Sequence, residues 1–240
     1  MAYVITLLIL CAVYAVSVYI ILHIKKTKWM SSGLASLILI CYIILAVRVY
    51  VSVGFYDWNF QNVLPVANVS PFMFATVPLI LILPKKARMH WKLLISLLSV
   101  GMFLSTVFNC IYNASIDYKF HFHFLMDYIA HFAISLLGVY FVSSGEVSLK
   151  PKSCAVSASL IYGAATLMLV LNLIFDTAFF GLSLRGKHNI YNNVIVDNSY
   201  ISALLYYLGL GVILLLGYAY HTLLMKLKKN KNRKKMKTSP

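Results

Sequence analysis

Charged residues are scarce in this 240-residue sequence, at 11% of positions, and only six residues are acidic. A soluble domain usually carries about 25% charged residues. Hydrophobic residues make up 61% of the chain, which excludes an ordinary water-soluble fold. No polar stretch between the hydrophobic runs is long enough for a soluble domain, so lipid must be the solvent for most of the chain.

Cysteine is also sparse, and the spacing of the cysteines shows no paired motif. No CxxC pair occurs, and each cysteine lies in or at the edge of an apolar run, so the sequence predicts neither a disulfide framework nor a zinc site. We expect no cofactor. The N-terminus lacks a basic segment and a cleavage site, so we expect a retained first helix. The cysteines are Cys11, Cys41, Cys110 and Cys154.

Seven apolar runs predict an all-α, polytopic transmembrane bundle of about seven helices, as one domain over residues 1–225 with a basic tail at 226–240. The third run is short. It either begins earlier, near Val63, or is broken at Pro71 and Pro78, because proline favours kinks in membrane helices. The runs are Tyr3–Ile24, Leu34–Phe55, Pro71–Leu83, Leu93–Tyr112, Phe120–Ser143, Cys154–Phe179 and Tyr200–Met225.

Positive charge follows the odd-numbered runs, whereas the alternate loops carry little of it. The positive-inside rule therefore predicts an N-terminus outside and a cytoplasmic C-terminus, in the plasma membrane of a bacterium. Net charge is +15, and eight basic residues lie between Lys226 and Lys237. A juxtamembrane cluster of this kind is typical of binding to anionic lipid headgroups rather than to nucleic acid.

Polar side chains at membrane depth are the main functional signal, because ionisable groups in a span are costly and usually functional. At ~1.5 Å per helical residue, four runs bring such groups to the outer half of the bilayer. We expect a site there. Asp127 and His131 are its catalytic pair, and the other polar groups are candidates for binding the substrate. The binding candidates are Arg48, Asn109, His123, Asn172 and Asp176.

His123, Asp127 and His131 are spaced i, i+4, i+8 and share one helix face. A carboxylate beside an imidazole can orient a general base, so His131 is the favoured base and Asp127 its orienting partner. Two structural interpretations remain open: His123 lies in the interface, or Arg48 pairs with Asp127 or with Asp176. A metal is not expected, because no Cys or Glu lies close in sequence.

Nucleophile candidates are weaker. Thr76 is one, although Ser and Thr are common in membrane helices as backbone partners. Two Asn-x-Ser sequons, Asn68–Ser70 and Asn113–Ser115, fall in segments expected outside.

The second half of the chain resembles the YwaF-like integral membrane proteins, a bacterial group related to the human transmembrane-protein-164 acyltransferase. The resemblance implies a seven-helix fold and lipid acyl chemistry, with His131, Asn172 and Thr177 at the family's helix-borne His, Asn and Thr. The motifs that carry it are His131, Ser144-Gly145-Glu146, Lys150-Pro151-Lys152-Ser153, Asn172, Thr177 and Tyr207-Leu208-Gly209-Leu210.

The chain departs from that family where its Cys nucleophile is expected. The family has Pro-x-His-x-Cys, but Met73 and Ala75 occupy the His and Cys positions after Pro71. Ala178 and Phe179 also replace the Asn and Tyr of the family's later motif. If the nucleophile is lost, Thr76, one residue on, is the remaining candidate and needs a well-placed base.

Three hypotheses follow. The first is a lipid acyltransferase or lipid hydrolase in which His131 is the base and Arg48 or Asn172 binds a phosphate or the oxyanion. The second is a lipid or solute binding or transport protein without chemistry. The third is an accessory subunit that joins a membrane protein partner through the basic tail.

Overall fold

The computed structural model describes residues 2–24, 28–53, 68–115, 122–175, 177, 179–182 and 199–238. All regular structure in these ranges is helical, and all seven α-helices except α3 are long and apolar enough to cross a bilayer. The prediction of an all-α membrane bundle is confirmed, and the chain is a multi-pass integral membrane protein. The helices are α1 Ala2–His23, α2 Lys28–Val53, α3 Val69–Thr76, α4 Lys85–Ser115, α5 Phe122–Ser143, α6 Pro151–Phe175 and α7 Ser199–Thr238.

Helix α3 is short because of how it begins and ends. The Asn68 side chain caps it by accepting the N–H of Ser70 at 3.0 Å. Pro71 lies in the first turn, where its missing N–H costs no helical hydrogen bond. Pro78 ends the α-helix, and a 3₁₀ turn continues over Val77–Leu81. The α-helix thus ends just before Pro78 but continues through Pro71 without the predicted break, whereas a start near Val63 lies outside the described residues.

Helix α5 lies at the centre of the bundle and is the most buried of the long helices. It packs against α1, α2 and α4, while α4 also contacts α6 and α7. The outer faces of α1, α2, α6 and α7 expose large apolar side chains, such as Leu8, Val51, Ile174 and Leu215. Exposed apolar faces of this kind suit contact with lipid, since the helix backbone is already hydrogen-bonded internally.

Small residues allow α4 to approach both of its partners closely. A side chain at Gly138 of α5 would collide with Ser99 and with the backbone of Ser96, and one at Gly217 of α7 would overlap the carbonyl oxygen of Leu97. Close backbone approach at small residues is a common way for membrane helices to pack. These close contacts hold α4 against α5 and α7.

Cations gather where α4 begins and α5 ends, and we call this the basic end. Helix α5 stops in a Schellman turn, in which Gly145 has φ of +75° and Glu146 N–H donates to the Phe141 carbonyl. Glu146 then pairs with Lys92 of α4, and Lys228 of α7 donates to the carbonyl of Ser143 at 2.9 Å. Helix α7 extends beyond its membrane span to Thr238, so most of the predicted tail continues a transmembrane helix.

Candidate functional site

A hydrogen-bonded cluster joins α3 to α5 inside the bundle. His131 of α5 is buried, and its Nε2 lies 3.0 Å from Oγ of Ser70 in α3. On its other side, Nδ1 lies 2.8 Å from the carbonyl oxygen of Asp127 and 3.4 Å from carboxylate oxygen Oδ1 of the same residue. A hydroxyl on one ring nitrogen and a hydrogen-bond acceptor on the other is the order of a nucleophile, a base and its orienting group, and the carboxylate adds negative charge beside the ring.

The partners of His131 indicate which ring nitrogen carries the proton. A carbonyl oxygen can only accept, so the hydrogen bond to Asp127 needs Nδ1–H as donor. A neutral imidazole protonated at Nδ1 leaves Nε2 as an acceptor. The Ser70 hydroxyl then donates to Nε2, which is the arrangement needed for proton removal from that hydroxyl.

Ser70 is brought to His131 by the local fold of α3. Asn68 is the N-cap and accepts the Ser70 N–H, and Pro71 follows, so Ser70 is fixed in the first turn of α3. The positive end of the helix dipole favours negative charge there. Phe74, one turn further on, packs its ring at right angles to the imidazole, with 4.7 Å between ring centroids, and keeps water from that side.

A small cavity of about 190 Å³ opens beside Ser70, between α3, α4 and α7. Ser105 and Tyr206 line it together with Ser70. The remaining walls are apolar or glycine, formed by Val69, Leu98, Gly101, Met102, Gly209, Leu210 and Ile213. The cavity is smaller than the roughly 300 Å³ at which typical ligand pockets begin, so it can enclose only part of a ligand.

The cluster lies well away from the basic end. His131 is twelve residues before Ser143, the last residue of α5, which corresponds to ~18 Å along the helix. The cavity is formed by the second half of α4 and the first half of α7, which are the halves remote from the basic end. The polar site therefore lies near the middle of α5, on the side away from the basic end.

Thr76, the predicted nucleophile, has its hydroxyl group hydrogen-bonded within its own helix. Its hydroxyl donates to the carbonyl of Phe72 at 2.6 Å, within its own helix. Its own carbonyl accepts the indole N–H of Trp91 at 3.1 Å. Ser70, rather than Thr76, therefore presents a hydroxyl to His131.

Arg48 and Asn109 lie away from the Ser70–His131 cluster. Arg48 is on the exposed face of α2, in a groove of about 400 Å³ formed with Ile43, Ile44, Val47 and Val51. Asn109 is partly exposed on α4, beyond the residues that line the cavity beside Ser70. The carboxylate of Asp127 faces His131. His123 starts α5 with its side chain outside the described part of the structure, and Asp176 also lies outside it.

Asn172 uses its whole amide to hold a turn in place. Its Oδ1 accepts the Thr177 hydroxyl at 2.8 Å and the Phe179 N–H at 2.7 Å. Its Nδ2 donates to the carbonyls of Phe179 and Leu182. This turn carries Phe180, which is fully buried with φ of +56° and packs edge-on against Phe72. The geometry gives Asn172 a structural role in supporting α3.

Sequence reasoning missed Ser70, which it treated only as part of a sequon. The signal for it was Asn68 followed by Pro71, which is typical of a capped helix start and places Ser70 in the first turn. Within the described ranges, no three His, Cys, Asp or Glu side chains come together as metal ligands would.

No protein-family model, no curated protein and no solved structure matches the chain. The function is therefore inferred from the geometry of the site itself.

Proposed function

We propose that this protein is a membrane-embedded serine hydrolase or acyltransferase that acts on lipid esters, with Ser70 as nucleophile, His131 as base and Asp127 as its orienting group. The observation that carries the proposal is the 3.0 Å contact between Ser70 Oγ and His131 Nε2, with Asp127 on the opposite ring nitrogen. Such a constellation is recognised by its geometry and recurs on unrelated folds.

The proposed reaction has two balanced steps. Ser70 Oγ attacks the ester carbonyl while Nε2 of His131 takes the hydroxyl proton, giving a tetrahedral oxyanion. Collapse breaks the ester bond, and His131 returns the proton to the leaving alcohol, which leaves an acyl-serine. Water, or the hydroxyl of a second lipid, then attacks this acyl group by the same route and releases Ser70.

Groups near Ser70 suit stabilisation of the oxyanion. The N-terminal end of α3 at Ser70 offers positive potential, and Ser105 and Tyr206, which carry hydroxyl groups, line the same cavity. The carboxylate of Asp127, 3.4 Å from Nδ1, stabilises the imidazolium that forms. In this low-dielectric setting such charges interact more strongly than in water.

The surroundings favour a lipid substrate. The cavity walls are mostly apolar, and the helices around it expose apolar faces to the bilayer. With the basic end in the cytoplasm, as the positive-inside rule favours, the reactive group lies in the outer half of the plasma membrane. The basic end then contacts anionic headgroups of the inner leaflet.

The test is lipid mass spectrometry on membranes that contain the wild-type chain, Ser70→Ala, His131→Ala or no chain. We expect wild type alone to shift the acyl-chain composition, with both variants matching the empty membrane. Thr76→Ala serves as the matched control, because it removes a hydroxyl from the same helix without touching His131. Identical profiles for wild type and Ser70→Ala would refute the proposal.

A second candidate function is transport, and a specific observation favours it. Buried hydroxyls continue along the bundle core beyond His131. Oγ of Ser135, one turn on, lies 2.7 Å from the Tyr14 hydroxyl. Nearer the basic end, Nε2 of His221 lies 2.8 Å from Oγ of Ser99. Chains of polar groups inside membrane proteins are typical of proton or solute pathways.

Proteoliposomes separate this candidate from the first. An imposed pH gradient should decay faster with wild type than with Ser135→Ala or Tyr14→Phe if the chain conducts protons. Ser70→Ala should then conduct as wild type does. Decay equal to that of empty liposomes would exclude proton transport and leave the acyl chemistry unaffected.

A further inference from the structure

We propose that the basic end contains a binding site for the phosphate headgroup of an anionic phospholipid, formed by the first turns of α2 and α4. A cavity of about 1190 Å³ lies there, lined by Ser31, Ser32, Lys85, Lys86, Arg88 and Lys92 among others. This inference concerns the opposite end of the bundle from Ser70 and does not depend on the proposed acyl chemistry.

The charged residues around this cavity are mostly positive. Among its lining residues in the described structure, Glu146 is the single carboxylate, and it pairs with Lys92. The guanidinium of Arg88 donates from Nε and Nη2 to the carbonyl of Leu83, at 3.0 and 2.7 Å. A neutral carbonyl orients that cation without cancelling its charge. Lys85 and Lys86 add two exposed cations.

Two helix N-termini add to the positive potential. Helices α2 and α4 both begin beside the cavity, and neither has an acidic residue in its first turn. Helix α4 instead starts with Lys85-Lys86, which sets cations against the positive end of its own dipole. A bound anion would relieve this repulsion, and it would meet backbone N–H groups and side-chain cations together.

The apolar part of the cavity favours a lipid over a soluble anion. Ile80, Leu81 and Met89 line it below the cations. Leu81 and Met89 are both more than 40% exposed at a bundle edge that would face acyl chains. Cations above an apolar wall match a phospholipid, because its negatively charged phosphate lies above its apolar acyl chains in the same way.

Native mass spectrometry on the purified full-length protein tests this site, with titration of dioleoyl phosphatidylglycerol and, in parallel, dioleoyl phosphatidylcholine. We expect saturable binding of phosphatidylglycerol and weak binding of phosphatidylcholine. The double variant Lys85→Gln/Lys86→Gln should bind phosphatidylglycerol ~10-fold more weakly. Both side chains are exposed, so the fold should be retained, which a thermal melt verifies.

Two further variants make the test specific. Lys150→Gln/Lys152→Gln removes two exposed lysines near the same end of the bundle but outside the cavity, and it should bind as wild type does. Glu146→Gln removes the one carboxylate and should tighten binding. Equal weakening in both lysine pairs would mean general surface charge and would overturn the site.

Competition by inorganic phosphate distinguishes a bound lipid from a bound soluble anion. Inorganic phosphate at a hundredfold molar excess should leave bound phosphatidylglycerol in place, because acyl contacts with Leu81 and Met89 add to its affinity. Complete displacement would overturn the assignment to a lipid.

Discussion

Oγ of Ser70 lies 3.0 Å from Nε2 of His131, although 61 positions separate the two residues in sequence. The contact exists because the capped start of α3 faces the middle of α5 rather than the bundle surface. A partly buried serine hydroxyl is thereby held on a buried base that is itself oriented by residue 127. This is the relationship from which the proposed acyl chemistry follows.

Replacing Asp127 by Asn tests how the base is held. The Nδ1 proton of His131 is fixed by the backbone carbonyl of residue 127, which this substitution keeps. Only the charge that stabilises the imidazolium is lost, so we expect turnover to fall by about 10- to 100-fold. Ser70→Ala should cost more, about 1000-fold or greater. Initial rates of lipid turnover in proteoliposomes measure both.

The order of these two losses is the informative result. A loss for Asp127→Asn as large as that for Ser70→Ala would mean that the carboxylate, not the carbonyl, holds the ring. No loss at all would remove Asp127 from the proposed reaction.

Asn172→Leu should destabilise the fold. The amide of Asn172 satisfies the N–H and carbonyl of Phe179 and the carbonyl of Leu182, and these groups would be left without that partner. Each unsatisfied buried group costs about 1–3 kcal/mol, so a loss of at least ~2 kcal/mol is expected. Thermal unfolding in detergent measures it. Asn109→Leu, the same change at a partly exposed position, should have little effect.

If Asn172→Leu unfolds at the wild-type temperature, the turn around Phe180 does not depend on this amide. In that case a direct role of Asn172 at a substrate would regain support.

Gly217→Ala should weaken the contact between α4 and α7. An added Cβ would overlap the carbonyl oxygen of Leu97, and backbone atoms cannot rotate aside as a side chain can. Overpacking of this kind costs about 1–3 kcal/mol. Gly163→Ala is the matched control in α6, since nothing lies within 4 Å of its added Cβ. Alanine is the better helix former by about 1 kcal/mol, so the control should be neutral or stabilising.

The melting temperatures of the two glycine variants, compared side by side, test whether α4 and α7 are in close contact at Gly217. A Gly217→Ala protein as stable as Gly163→Ala would contradict the close approach of α4 and α7.

The bundle and the pairing of Asp127 with His131 could be predicted because both follow from local patterns. Apolar runs of membrane length require helices, and the i, i+4 spacing puts the two side chains on one face. Ser70 could not be chosen in this way, because its contact with His131 depends on where α3 begins relative to α5. That register is set by the Asn68 cap and by tertiary packing.

Arg48 and Asn172 show a second limit of sequence reasoning. Depth along a helix can be counted from the sequence, but the direction of a side chain around the helix depends on which neighbours pack there. Arg48 lies on an exposed face, whereas Asn172 is buried and hydrogen-bonds to a turn seven residues away. A shared level in the membrane therefore does not by itself make a shared site.

The most direct measurement of the central claim is labelling with a fluorophosphonate, which reacts with serine hydroxyls that are activated by a neighbouring base. Membranes with the full-length chain are treated with the probe, and the modified residue is located by peptide mass spectrometry. We predict labelling of wild type and Thr76→Ala at Ser70, and none in Ser70→Ala or His131→Ala. Absence of labelling in the wild type, or labelling that survives His131→Ala unchanged, would contradict the assignment of Ser70 as a nucleophile activated by His131.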